Sequence, residues 1–191
     1  SVLPLYNPME FAESWAAIDQ LSGGRAVVAI GAGYNRDYLR AFGIDGARYR
    51  RRFAEAAEVV RRAWTRRSPW SYHGQIFTFE DVRLLPGAVR ESGPSLWIAG
   101  QSPWAVKYAA EMGDGFARDP FPITSEAWRE RVATVRADAA RRGLAAPEIV
   151  LLRHVYLTED PAEADAVLEE VCLPQFRFYE GAGLLRGRLA Q

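Results

Sequence analysis

Short apolar runs alternate along the chain with longer stretches whose apolar positions recur every three or four residues. Ser1–Leu5 reads as the last residues of a strand. Asn7-Pro8-Met9-Glu10 then reads as a helix start, with Asn7 capping, Pro8 in the first position and Glu10 able to reach back to the cap. Phe11, Trp15 and Ile18 recur at helical spacing, and Gly23-Gly24 ends the helix. Ala26–Ile30 is a β-like run that leads into Gly31-Ala32-Gly33. Between Arg48 and Trp64 the positions Phe53, Ala57, Val60 and Trp64 fall on one helical face.

Trp70–Phe79 predicts a hairpin around His73-Gly74, and Ser95–Ala99 a short buried strand. Ser102-Pro103 starts the next helix, and Gly115–Ala117 is a further short strand. Trp128, Val132 and Val135 mark another helix, Ile149–Leu157 a longer strand, and Asp160-Pro161-Ala162-Glu163 repeats the cap, proline and acidic-return pattern. Strand–helix alternation of this kind predicts an α/β fold, with a parallel sheet and helices packed over it. No internal repeat, low-complexity tract or Gly/Ser/Pro-rich linker divides the chain, so residues 1–191 are expected to form one domain.

Composition changes this picture mainly by exclusion. The 191 residues carry 24 basic and 24 acidic side chains, a formal net charge of zero. A nucleic-acid partner would call for a basic stripe to replace phosphate counterions, so none is expected. One cysteine, Cys172, rules out an internal disulfide, and its neighbours Val171 and Leu173 predict a buried thiol. Two histidines and one cysteine are too few for an N/S zinc site, and no metal is expected. No apolar run approaches the roughly 20 residues that cross a bilayer, and SVLPLYNP lacks the regions of a signal peptide. The expected location is cytoplasmic.

Three segments carry candidate chemistry. Gly31-Ala32-Gly33-Tyr34-Asn35 follows a strand, where glycine lets the backbone approach a ligand closely. It is not the dinucleotide fingerprint, because no third glycine opens a helix at the required spacing. In Leu96–Trp104 a strand ends, Gly100-Gln101 follows, and Ser102 sits at a helix N-cap. The free N–H groups and positive dipole end of such a helix form an anion site, although a capped helix without a ligand reads the same way. In Ala109–Phe116, Gly113 reads as a helix C′ residue and Asp114-Gly115 as a tight turn, with Asp114 a turn-former rather than an acid.

The order of these segments resembles the bacterial-luciferase-like flavin-dependent monooxygenases. Ile18–Arg25, the GAGYN loop, an arginine-rich helix, YHGQIFTF, PSLWIAGQS and AAEMGDGF follow one another from about Asn7 to Phe116, with weaker similarity through Ile149–Tyr179. The run Tyr34-Asn35-Arg36-Asp37-Tyr38, followed by Phe42-Gly43, is close to the bacterial luciferase subunits themselves. The resemblance implies a (β/α)₈ TIM-barrel type of fold. About five parallel strands are legible where a closed barrel has eight, so the barrel is expected to be incomplete in this chain.

It also implies a cofactor, FMN in its reduced form, at the C-terminal mouth of the barrel. The ring would pass near Gly31, Ala32 and Gly33, beside Tyr34 and Asn35. The phosphate would be held at Gly100, Gln101 and Ser102 and by an arginine of the helix that starts near Arg48. Arg48, Arg50, Arg51 and Arg52 compete for that role, and Arg51 is favoured; a guanidinium fork suits phosphate. Some luciferase subunits place an arginine where this chain has Ala32. The family's catalytic histidine lies in an N-terminal third without a counterpart among these residues. His73 and His154 do not match it and read as structural, and no catalytic residue is assigned. Trp97, Trp104, Phe116 and Phe121 are candidates for pocket lining or for core, with core favoured for Trp97.

The functional expectation is a flavin-dependent monooxygenase acting with O₂ on a small organic substrate. A flavin reductase is a possible partner, and a homodimer is implied. Two alternatives stay open: a deazaflavin (F420)-dependent reductase or dehydrogenase of the same barrel family, and a non-catalytic flavin-binding or partner subunit.

Overall fold

The computed structural model describes residues 1–100, 102–118 and 124–181. Helix α1 (Pro8–Ser22) starts where the Asn7 carbonyl oxygen Oδ1 accepts the Met9 N–H at 2.9 Å, and it stops at Gly23, whose φ of 63° suits glycine. Its packed stripe runs through Phe11, Ala12, Ala16 and Asp19, while Ile18 stands outside it, 44% exposed. Strand β1 (Val27–Ile30) follows, then α2 (Arg36–Ala41) and α3 (Tyr49–Thr65). On α3 the predicted face is fully buried, and the Trp64 indole N–H donates to the Ala12 carbonyl at 2.9 Å, fastening α3 to α1.

The predicted hairpin is present as β2 (Trp70–His73) and β3 (Thr78–Val82), paired antiparallel. Its tip is anchored to α3 by Glu55, which is 6% exposed. The carboxylate accepts the backbone N–H groups of Gln75, Ile76 and Phe77 at 3.1, 2.9 and 3.3 Å. A Cβ on Gly74 would stand 2.2 Å from Glu55 Oε2, so glycine is required there. Tyr72 packs beside this anchor; burial, then the nearby Glu58 carboxylate, pushes its hydroxyl up to about 12.

Strands β4 (Ser95–Ala99), β5 (Gly115–Arg118) and β6 (Glu148–Leu151) join β1 in a parallel sheet of order β1-β4-β5-β6. Helices α4 (Pro103–Met112) and α5 (Ser125–Arg141) are the crossovers between β4, β5 and β6. After β6 come α6 (Pro161–Val167), a π-helical turn Leu168–Cys172, and α7 (Leu173–Gly181). Val28, Ile30, Leu96, Ile98 and Phe116 are buried in one cluster with Phe53, Ala57 and Val60 of α3. Alternation along the strands therefore turns Ala29, Trp97, Gly115 and Ala117 to the other face. A parallel sheet with its helices gathered on one face is an arc of a (β/α)₈ barrel, whereas a doubly wound sheet is covered on both.

Two strand expectations are corrected. Val2 makes one parallel bridge to Gly31 and the chain then turns into a 3₁₀ helix, Leu3–Leu5. Gly31 N–H donates to Ser1 O at 2.9 Å and Leu3 N–H to Gly31 O at 3.1 Å, so a strand end does lie beside β1. It stops at Leu3 and not Leu5, because Pro4 has no N–H to offer a ladder. The long strand expected at Ile149–Leu157 spans only Glu148–Leu151, paired with Gly115–Arg118 of β5. Beyond it Val155 and Leu157 are 75% and 88% exposed. Cys172 is half-buried rather than buried. Among the described residues no helix is long and apolar enough to cross a membrane.

Asp114 ties the sheet together at the end opposite the mouth. Its backbone N–H donates to Leu96 O and its carbonyl accepts from Glu148 N, each at 2.8 Å. Its carboxylate accepts from Leu96 N at 2.8 Å and from the Arg61 guanidinium at 2.9 Å. The side chain is 44% exposed, so the ion pair is screened. Asp114→Ala is expected to lower the unfolding free energy in urea by about 1–2 kcal/mol, mostly through the unpaired Leu96 N–H; an unchanged midpoint would refute this role.

Candidate functional site

The C-terminal ends of β1, β4, β5 and β6 face one way and form the mouth of the arc. Gly31 follows β1 with its N–H donated to Ser1 O at 2.9 Å. A Cβ there would meet Ala99 O at 3.2 Å, so the two chain segments touch through bare backbone. Gly33 has φ 83°, and a Cβ on it would stand 2.9 Å from Val2 Cγ1. Ala32 is half-buried against the core. The Asn35 side chain caps α2, accepting Tyr38 N–H at 3.0 Å. Tyr34 is 47% exposed, its ring edge-on to Tyr179 of α7 at 6.3 Å. Burial, then Tyr179, raises the Tyr34 hydroxyl above its ordinary value.

On the neighbouring strand, Gly100 packs against α4 so tightly that a Cβ would stand 2.6 Å from Ala105 Cβ. Gln101 lies outside the described residues, as does Phe121. Ser102 is the N-cap of α4, its hydroxyl oxygen accepting Ala105 N–H at 3.2 Å. Accepting with its oxygen leaves the hydroxyl proton available to a ligand. The helix end adds its positive dipole.

The four competing arginines separate. Arg52 donates from Nε to Pro4 O at 2.7 Å and packs over Phe77, 4.7 Å from the ring centre, which commits it to structure. Arg48 precedes α3 and shares a cavity of about 270 Å³ with Arg52, Asp45 and Gln75. Arg50 is bonded from Nε to Tyr49 Oη at 3.0 Å and stands 5.8 Å from the Trp104 ring, on the first turn of α4. Arg51 faces a groove of about 690 Å³ with Glu55, Tyr72, Tyr108 and Glu111. The carboxylates of that groove are matched within the protein: Glu55 by the hairpin N–H groups, Glu58 by Arg62 and Tyr72, Glu111 by Arg142. Arg50 and Arg51 both face α4, Arg50 at its first turn through Trp104 and Arg51 across the groove from Tyr108 and Glu111.

The remaining candidates are placed as follows. His73 is on the outer hairpin, 3.4 Å from Glu80. His154 is exposed in the loop that leaves β6, not in a strand. Phe116 is core, stacked on Trp128 at 6.3 Å. Trp104 stacks on Tyr108 and meets Phe53 edge-on. Trp97 is half-buried on the inner face, where core had been favoured. Arg118, fully buried at the end of β5, went unnoticed in the sequence; a charged residue closing an apolar strand was the available signal. No cluster of three metal-binding side chains occurs among the described residues.

The inner wall near the mouth is built from Ala29, Gly31, Ala99 and Ala117, with Val150 at its β6 edge. A (β/α)₈ barrel normally fills its interior with bulky branched residues. Here methyl groups and bare backbone leave room for a flat ligand, and the capped end of α4 offers a place for an anion.

Comparison with known proteins gives the same direction. The family model described as luciferase-like monooxygenase matches residues 1–191. The FMNH₂-dependent dimethylsulfone monooxygenase of Pseudomonas putida is 28% identical over 169 residues, 87% of this chain and 46% of that protein. The F420-dependent glucose-6-phosphate dehydrogenase of Amycolatopsis mediterranei is 28% identical over 114 residues, 58% of this chain and 33% of its own. The crystal structure of the monooxygenase RslO1 from Streptomyces bottropensis superimposes with a TM-score of 0.83 at 27% identity, covering 95% of this chain and 56% of that one. The chain thus spans about half the length, or less, of these relatives.

The close approach at Gly100 can be tested directly. Gly100→Ala forces α4 away from β4 and is expected to cost about 1–3 kcal/mol in urea unfolding. Gly181→Ala, with nothing among the described residues within 4 Å of the added carbon, is expected to change stability by less than about 0.5 kcal/mol. Equal effects at the two positions would contradict the packing described.

Proposed function

The chain belongs to the luciferase-like monooxygenase family, and on that premise we propose that it carries the FMN site of a flavin-dependent monooxygenase acting on a small organic substrate. The observation that supports this most is the pairing of a side-chain-poor inner wall with the Ser102-capped end of α4. The wall takes a flat ring system, and the helix end takes a phosphate joined to it. The residues present fit FMN in this sense, since the wall at Gly31, Ala99 and Ala117 carries nothing larger than a methyl group, and Gly100 lets α4 begin directly behind it with Ser102 at its cap.

In this reading Ser102 donates its hydroxyl proton to a phosphate oxygen, and the α4 dipole favours the dianion. The exposed guanidinium of Arg50 or Arg51 supplies the counter-charge from α3. Gly31 and Ala99 would hold the ring by contact, and the core behind the wall would keep water from that side of it. Bound in its reduced form, the flavin supplies the two electrons that an oxygenation requires. A cytoplasmic enzyme fed by a separate flavin reductase, and paired as a homodimer, completes the proposal.

A second reading has its own support: one relative is named as F420-dependent. Both cofactors present a tricyclic ring and a phosphate, so the same wall and helix end would serve either. Titration distinguishes them. FMN is expected to bind at least about tenfold more tightly than riboflavin, the scale of one or two hydrogen bonds to a charged group. Ser102→Asp keeps the cap but opposes the phosphate, and is expected to remove that difference without changing riboflavin affinity. Equal affinity for FMN and riboflavin in the unaltered chain would defeat the phosphate assignment. Tighter binding of F420 than of FMN would favour the second reading.

A further inference from the structure

The inner face changes character abruptly two residues below the mouth. The inward positions near the strand ends are Gly31, Ala99, Ala117 and Val150, of which only Val150 carries more than a methyl group, and Ala29 lies beside Trp97 in the β1–β4 register. The first large group below them is the indole of Trp97. Successive residues on one face of a strand are about 6.6 Å apart, so the bare wall above Trp97 is about one ring system deep. The one charged side chain at an inward position of the four strands is Glu148, exposed at the start of β6; it is level with Gly115 and Trp97 and below the bare positions.

Trp97 is seated on glycine. A Cβ on Gly115 would stand 2.3 Å from Trp97 Cδ1 and 2.6 Å from its Nε1, so the ring lies across bare β5 backbone. Its neighbours Leu96 and Ile98 point the other way, into the helix-covered core, which leaves the indole half-buried on the inner wall. The indole nitrogen is buried and meets no acceptor among the described residues. Contact with Gly115 therefore sets the ring's orientation, with no hydrogen bond to help. An unsatisfied buried N–H costs about 1–3 kcal/mol, a cost that leucine or phenylalanine would avoid. What the position gains from tryptophan is area and shape.

We propose that Trp97 is the floor of the chamber that opens at the mouth, and that it sets how long an apolar group the chamber admits beneath the cofactor. This rests on reading the mouth as an FMN site. The class of ligand is apolar and uncharged at its buried end, because the wall offers methyl groups, backbone and an aromatic face. Trp97 acts by contact and takes no part in proton transfer. Replacing it by a smaller residue extends the chamber toward the barrel centre, as truncation of a buried side chain leaves space that apolar ligands fill.

The test uses the full chain loaded with FMN, and straight-chain primary alcohols of four to twelve carbons as graded probes. Binding is read from the fluorescence of bound FMN in the unaltered chain, Trp97→Phe and Trp97→Ala. Trp97→Ala is expected to move the best-bound alcohol up by about two to four carbons and to tighten the longest ones about tenfold. Trp97→Phe should give a smaller shift in the same direction, and it carries the test if the alanine variant fails to fold. An identical chain-length profile in all folded variants, with FMN bound in each, would overturn the proposal alone. Failure of FMN to bind the unaltered chain would overturn the reading of the mouth, and the floor with it.

Discussion

The scarcity of side chains on the inner face near the mouth is the constraint on which the rest depends. Parallel strands packed under helices ordinarily bury bulky residues on both sides. Here one side does so, through Val28, Ile30, Leu96, Ile98 and Phe116. The other carries Gly31, Ala99 and Ala117 near the mouth, with Val150 beside them and Ala29 and Trp97 one layer below. Such a wall gives up apolar burial within the sheet and leaves a surface that a ligand can cover. Helix α4 depends on the same economy, because Gly100 lets it begin directly behind the wall with Ser102 at its cap.

Holding so bare a wall in shape falls to contacts placed away from it. Asp114 binds β4, β5 and β6 at their opposite ends, and Arg61 brings α3 to the same point. Glu55 gathers three backbone N–H groups of the hairpin onto α3. Trp64 fastens α3 to α1. Each of these polar contacts has one partner on α3. The mouth is thus free to carry groups chosen for binding rather than for stability.

The helices and the hairpin were legible because their signals are local. On α3 the stripe Phe53, Ala57, Val60 and Trp64 repeats at 3.6 residues, and all four are buried as that period requires. The caps at Asn7 and Ser102 were readable for the same reason. Strand ends were less so. Leu152, Val155 and Leu157 look like a strand continuing from β6, but a strand needs a pairing neighbour as well as apolar residues, and all three are exposed. The family's motif order pointed to the Gly31–Asn35 and Gly100–Ser102 loops, which the fold brings to one mouth. It could not rank the four arginines, since that depends on where α4 lies against α3. Nor could it pair Trp97 with Gly115, residues 18 positions apart that meet only across two strands.

A crystal structure of the chain grown with FMN tests the central claim most directly. The phosphate is expected within hydrogen-bonding distance of Ser102 Oγ, with the ring against Gly31 and Ala99 and an α3 guanidinium on the phosphate. FMN seated instead in the outer groove between Glu55, Tyr108 and Glu111, with the mouth unused, would contradict it.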